Sequence, residues 1–186
     1  MMDREQHLIQ IVDAAFAEAR RRAGAWLTCA PGCGECCHRP FPITVADAER
    51  LRRGLALAPL ALALDVRGRA QAAWSRMARD FPGSTETGAL TGDEAWREWF
   101  FSRMTGVPCP VLDSETQACR LYEHRPIACR LAGPAVRAGE GVFPPCHKNY
   151  VGATVAEVAA CQVVLDDPLF FEMAEEPETV IAYVCL

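Results

Sequence analysis

Apolar positions at the start of the chain recur with a helical period. Leu8, Ile11, Val12, Ala15 and Ala19 share one face of residues 3–23. Asp3 stands where a helix cap belongs, acids precede bases along the segment, and Gly24 is a natural stop. The pattern then breaks. Residues 29–42 are rich in Gly, Pro and Cys, and they predict an irregular loop that metal ligation would hold. Thr44, with Asp47 three residues on, reads as a capping box and opens a second helix. Pro59 ends that helix or starts the next at its first turn. A third helix is expected over residues 60–80, weakened by Gly68 and broken by Phe81-Pro82-Gly83. A polar loop over 83–92 leads to a second capping pair, Thr91 and Glu94. Trp96, Trp99, Phe100 and Met104 follow as one apolar helical face, read as core packing.

The texture changes after residue 106. Residues 107–112 and 119–122 are short extended candidates around a polar turn at 113–117, which predicts a small hairpin. Pro126 can start one helical turn carrying Cys129, and 133–145 reads as loop. Thr154 and Glu157 cap a helix to about Leu165, stopped before Pro168, and two short helical pieces finish the chain. The expected class is mostly α with a small β-hairpin, an irregular cysteine-rich metal-centred core surrounded by helices. At ~150 residues per domain, residues 1–186 are expected to form a single domain. Its parts would be an N-terminal helix at 1–24, a cysteine-cluster region at 29–146 with a helical insertion at 44–106, and C-terminal helices at 154–186.

Composition narrows the function. A net charge of −5 argues against a nucleic-acid surface, which needs a basic face. Arg20, Arg21 and Arg22 fit the cationic end of a helix instead. The first 24 residues lack the apolar stretch that export needs. No segment approaches the ~20 apolar residues of a membrane span, and Pro59 interrupts the short apolar run at 56–64. The expectation is a soluble, cytoplasmic protein with neither a nucleic-acid nor a membrane partner. In that compartment ten cysteines point to metal or redox chemistry rather than to disulfides.

The cysteines form two clusters. The first is Cys29-Ala-Pro-Gly-Cys33-Gly-Glu-Cys36-Cys37; the second is Cys109, Cys119 and Cys129, followed by Cys146. Short spacings let thiolates converge on one ion without costly loop closure. Gly32 and Gly34 let the backbone turn tightly and bring amide N–H groups toward sulfur. Prolines at 108, 110, 126, 144 and 145 stiffen the chain beside the later cysteines, so less entropy is lost on ligation. Thiolates suit zinc and iron–sulfur clusters alike. The adjacent pair Cys36 and Cys37 more naturally serves two neighbouring sites or one multinuclear cluster. Eight cysteines divide into two four-ligand sites, or one cluster plus a structural site. Cys29-x3-Cys33-x2-Cys36 also has the spacing of a radical S-adenosylmethionine loop, but Glu35 replaces the usual aromatic and the chain lacks the repeated strand–helix pattern.

These same residues carry a resemblance. Cys33-Gly-Glu-Cys36-Cys37, Cys109-Pro-Val-Leu112 and the run Cys119-Arg-Leu-Tyr122-Glu-His-Arg125-Pro126-Ile-Ala-Cys129-Arg130 resemble the YkgJ-type cysteine-cluster family, also called the CxxCxxCC family. Phe41-Pro-Ile-Thr44 before a helix is similar too, and the likeness covers roughly residues 29–146. It implies eight metal-ligating cysteines: Cys29, Cys33, Cys36, Cys37, Cys109, Cys119, Cys129 and Cys146. Three residues separate Cys29 from Cys33 where the family usually has two. Flagellin lysine N-methylases share the cluster, but this chain has no glycine-rich strand–helix signature for S-adenosylmethionine.

Around the cysteines, Tyr122, Arg125 and Arg130 are candidate neighbours of the cluster. A zinc tetrathiolate carries two negative charges by simple counting, and nearby guanidinium groups would offset them and lower thiolate pKa values. His38 and His147 each follow a cysteine and are candidate ligands or donors to sulfur, with a solvent-facing role the simpler reading; His124 reads as structural. Cys161 and Cys185 read as buried small hydrophobes. Asp166-Asp167 and Glu175-Glu176 read as solvated helix ends, and no Ser/His/Asp set, phosphate loop or His-Glu-x-x-His motif is present. The function expected is a cysteine-cluster protein holding an iron–sulfur cluster, 4Fe–4S foremost, or an iron site. It would serve redox or enzyme-associated chemistry with a protein substrate or electron partner. The alternatives are a Zn2+-stabilised, non-catalytic binding module and a metal carrier.

Overall fold

The computed structural model describes residues 4–186, so the cap expected from Asp3 lies outside the described residues. The helices are α1 (Arg4–Ala23), α2 (Val45–Leu57), α3 (Leu60–Met77), α4 (Glu94–Arg103), α5 (Ile127–Leu131), α6 (Val155–Cys161), α7 (Pro168–Ala174) and α8 (Ile181–Val184). Short strands are β1 (Pro42–Thr44), β2 (Val136–Ala138), β3 (Gly141–Phe143), β4 (Val163–Leu165) and β5 (Glu178–Val180). The class is mostly α with small β elements, as the patterning predicts. The chain divides into two compact units, each assembled from separate stretches.

The first unit comprises the described part of Met1–Ala30 and Ile127–Glu175. The apolar stripe of α1 does what its period predicts: Leu8, Val12 and Ala19 are buried against Ile127, Val136, Ala138, Val163 and Leu165. Each larger side chain buried there contributes about 1.5–3 kcal/mol. A second apolar group joins Ala23, Leu27, Ala135, Tyr150 and Cys161, which places Cys161 in the core as expected. Arg22 donates to the carbonyls of Ala160 and Gln162 at the end of α6. Thr154 and Glu157 form the full reciprocal capping box of that helix.

Two expectations fail in this unit. Residues 133–145 are not plain loop: β2 and β3 pair antiparallel, with Val136 opposite Phe143. Val136 and Ala138 are buried while Arg137 is not, which is strand alternation, and Gly139 turns the chain at φ +56. Likewise α6 stops at Cys161. Val163 and Val164 are β-branched, and they pair parallel with β2 in β4 instead of extending the helix. The acid pair at 166–167 is structural: Asp166 is ion-paired with Arg137 at 2.9 Å, and Asp167 caps α7 through the Leu169 N–H.

The second unit comprises Pro31–Pro126 and Glu176–Leu186. Thr44 caps α2 by accepting from the Asp47 N–H at 3.2 Å, and Pro59 caps α3. β1 and β5 pair antiparallel, Ile43 opposite Thr179, and α8 packs against α2 and α3. The core gathers Met77, Phe81, Leu90, Phe100, Met104 and Val180. Here the expected face of α4 divides. Phe100 and Met104 are buried, but Trp96 and Trp99 are 43% and 48% exposed. Trp99 lies one residue from Phe100, about 100° round the helix, and stacks with Arg103 instead. The helix also starts later than expected, because Asp93, not Thr91, accepts from the Trp96 N–H at 2.8 Å.

One glycine of this unit links fold to site. Gly54 lies inside α2, and a Cβ there would sit 2.5 Å from the His124 ring and 2.7 Å from its Cβ. The imidazole packs on bare backbone, so His124 is structural and locks the 3-10 turn Tyr122–His124 onto α2. Gly→Ala inside a helix ordinarily stabilises by about 1 kcal/mol. Gly54→Ala should instead destabilise by about 1–3 kcal/mol, the cost of overpacking. Thermal unfolding checks this, and His124→Ala in the same chain should recover most of the loss.

Candidate metal centre

The second unit carries Cys33, Cys36, Cys37, Cys109 and Cys119, and backbone contacts bring their segments together. Gly32 and Gly34 have positive φ, +91 and +33, so the chain reverses on both sides of Cys33. The 3-10 turn Glu35–His38 then presents Cys36 and Cys37. The Cys109 N–H donates to the Cys37 carbonyl at 2.7 Å, and the Gly106 N–H to the His38 carbonyl at 2.7 Å. The predicted hairpin is present as a single antiparallel bridge between Leu112 and Cys119. Asp113 stabilises its turn by accepting from the Glu115 and Thr116 N–H groups. The strand expected over 119–122 ends early, because Tyr122 opens a 3-10 turn.

A residue without any metal-ligand signature holds the first cluster to this hairpin. Gln117 lies at φ +56 with its side chain on Gly34, where a Cβ would be 2.7 Å from Oε1. Its Oε1 sits 3.0 Å from His38 Nε2, and its Nε2 donates to the Ser114 carbonyl. His38 is therefore engaged with Gln117. Nothing in the spacing of cysteines could have singled out Gln117; the hint was the glycine opposite it.

The sulfur atoms differ in charge. The Cys36 thiol is held down to about 6, first by a hydrogen bond with the Cys37 thiol, against the opposing effect of burial, with help from the charges of Arg125 and Arg39. Burial pushes Cys109 up to about 12, the Val111 N–H opposes this, and the neighbouring Cys119, Cys185 and Cys36 add to it. Burial also raises Cys119, opposed by the Leu121 N–H and by Arg125. Arg125 lies 3.7 Å over the Tyr122 ring, and its charge reaches both Cys36 and Cys119. Cys185, expected as a buried hydrophobe, is buried and pushed up to about 12 by that burial, with Cys119 close enough to add to the shift.

The first unit carries Cys29, Cys129 and Cys146. Cys29 Sγ accepts from Asn149 Nδ2 at 3.2 Å, and its carbonyl accepts from Arg20. Cys129 sits in α5. Cys146 Sγ is 3.9 Å from His147 Nδ1. Arg130 is buried, and one of its nitrogens donates to both carboxylate oxygens of Asp13 at 2.7 and 2.8 Å. That guanidinium therefore has a carboxylate partner on α1. Asn149 and Gly133 are further residues that cysteine spacing does not reveal.

The eight motif cysteines are half-buried and form no disulfide, whereas the core of each unit is apolar. Among the described residues no three Cys, His, Asp or Glu side chains converge closely enough to hold one ion. The donor chemistry nonetheless fits a thiophilic metal: N–H groups already point at the sulfur atoms of Cys29, Cys109 and Cys119, which is how metal-bound thiolates are supported. No described helix is long and apolar enough to cross a membrane.

In metal-free protein at pH 7, Cys36 should react with iodoacetamide faster than Cys109 and Cys185 of the same unit, which should be the slowest; peptide mass spectrometry over time checks the order. Comparison with known proteins returns no matching curated protein and no matching solved structure. The family model CxxCxxCC, described as "Putative zinc- or iron-chelating domain", matches residues 28–147, well over half of the chain. The chain belongs to the CxxCxxCC family of metal-chelating cysteine-cluster proteins.

Proposed function

We propose that this protein holds iron through its cysteines, foremost as a 4Fe–4S cluster, and uses it for redox or enzyme-associated chemistry in a reducing compartment such as the cytoplasm. The ligands are drawn from Cys29, Cys33, Cys36, Cys37, Cys109, Cys119, Cys129 and Cys146. The observation that carries this reading is the N–H donor on cysteine sulfur, Asn149 Nδ2 on Cys29 Sγ at 3.2 Å, and the backbone of Val111 and Leu121 acts on Cys109 and Cys119 in the same sense. Such donors offset thiolate charge and tune the reduction potential of an iron–sulfur centre. The wholly thiolate donor set and the Cys109-Pro110 pair point the same way.

Such a cluster supplies one-electron transfer when bound. The chain's own residues hold it and set its charge balance. Cys36 is the thiol readiest to ligate, because its proton is already weakly held. Cys109 and Cys119 keep their protons until a cation displaces them, so loading releases protons. Arg125, with Tyr122 beneath it, places positive charge beside Cys36 and Cys119. Arg130 and His147 remain proposed neighbours of the first unit's cysteines, and His38 of the second's. The partner would be a protein substrate or an electron carrier.

A zinc module uses the same residues, and the family's description names both metals. The two separate on protein purified without oxygen. The proposal expects a brown protein containing iron and acid-labile sulfide, bleached reversibly by dithionite. Colourless protein with one or two zinc ions per chain would overturn it. Cys36→Ser and Cys119→Ser should each lose metal from the second unit. Arg125→Ala should weaken retention about tenfold, the size of a lost outer-shell partner. Unchanged metal in Cys119→Ser would remove that residue from the ligand set.

A further inference from the structure

One sulfur atom of the first unit has a buried side-chain amide and a bare glycine against it. Asn149 is only 5% exposed, and its amide is engaged at both ends. Its Oδ1 accepts from the Thr28 N–H at 2.9 Å and the Thr28 hydroxyl at 3.0 Å. Its Nδ2 donates to the Gly133 carbonyl at 2.7 Å and to Cys29 Sγ at 3.2 Å. These partners settle which way the amide points. Turning it over would set its NH2 against the Thr28 N–H and its oxygen against the Gly133 carbonyl. The Cys29 sulfur therefore receives an N–H, the contact that favours a thiolate.

The backbone makes room for the arrangement. Gly133 has φ +124, and a Cβ there would collide with Cys29 Sγ. Only glycine lets the sulfur approach so near. The same small network fixes the next cysteine: the Cys146 N–H donates to the Gly133 carbonyl at 2.9 Å, and the Asn149 N–H to the Cys146 carbonyl at 2.9 Å. A buried amide is costly unless every bond is made, and one of these bonds is spent on sulfur.

We infer that Asn149 is a positioning residue for Cys29: it holds Sγ in place and supports its thiolate as a ligand, with Gly133 clearing the space. This rests on the metal-binding reading above. It also draws Asn149, two residues past the matched segment, into the site.

The test compares metal retention in native protein, Asn149→Ala, Cys29→Ala and the double variant, following transfer to a chelator after anaerobic purification. Circular dichroism of the metal-free forms reports the fold. Asn149→Ala should weaken retention about 10–100-fold. Through Cys29 alone, the double variant should be no worse than Cys29→Ala. Where Asn149→Ala loses its fold, Thr28→Val takes its place, because it removes the hydroxyl that holds Oδ1 and gives up besides only the longer 3.3 Å contact with the Lys148 carbonyl. About a threefold loss is then expected, the scale of a partly lost hydrogen bond, and it should vanish in the Cys29→Ala background. Unchanged retention in Asn149→Ala, or losses that multiply in the double variant, would overturn the inference while leaving the metal reading intact. Native protein that holds no metal would overturn both.

Discussion

A turn that supplies ligands but buries no side chain of its own, as Glu35–His38 does, must be held by its backbone, and in the second unit that constraint is met at two points. Cys37 and Cys109 share a main-chain hydrogen bond, and Gln117 lies flat on Gly34. The rest of the sulfur geometry follows from these contacts. The first sets the separation of the two cysteine segments; the second fixes the angle at which the hairpin with Cys119 meets the turn with Cys36 and Cys37. The hairpin's own end is secured elsewhere, where His124 packs on Gly54 of α2. Two glycines far apart in sequence therefore do the same job. Each removes a side chain so that a polar one from the hairpin region can take its place.

Charge follows from that geometry. Buried thiols beside one another cannot all ionise, since each thiolate raises the pKa of the next. The structure relieves this unequally: Cys36 keeps the low pKa, and Cys109 and Cys119 remain neutral. A bound cation would lower every thiol it contacts by supplying the missing positive charge itself. In the first unit a side-chain amide donates to the Cys29 sulfur, and Arg130 is ion-paired with Asp13.

What could be read from the sequence divides along the same line. Helices with clear periods and caps were legible: α1, α2 with Thr44, α3 after Pro59, and α6 with its capping box. The hairpin turn at Asp113 was legible because its side chain has a defined local use. The errors arose where tertiary pairing overrode a local pattern. Val163 to Leu165 could continue a helix, but β2 offered a parallel partner. Trp99 suits a core by composition but not by its angle on α4, and Trp96 stands in the exposed first turn of that helix. The cysteines were legible as a set, yet not the residues that orient them. Gln117, Gly133 and Asn149 are ordinary in sequence and acquire meaning only through contacts made across many intervening residues.

The partial burial of the motif cysteines bears on what the metal is for. Each unit buries an apolar core of the usual kind, and the eight motif cysteines are only half-buried. Small domains that need a structural ion lack such a core, and the ion supplies their folding free energy. Here α1 with its sheet, and α3 with α8 and Phe100, can hold together by apolar burial. A purely structural ion would then be redundant for most of the fold. The N–H donors at sulfur and the arginine whose charge reaches Cys36 adjust the charge of the thiols. Charge adjustment matters most when the bound centre changes its charge in use, and that consideration lies behind the redox chemistry we propose.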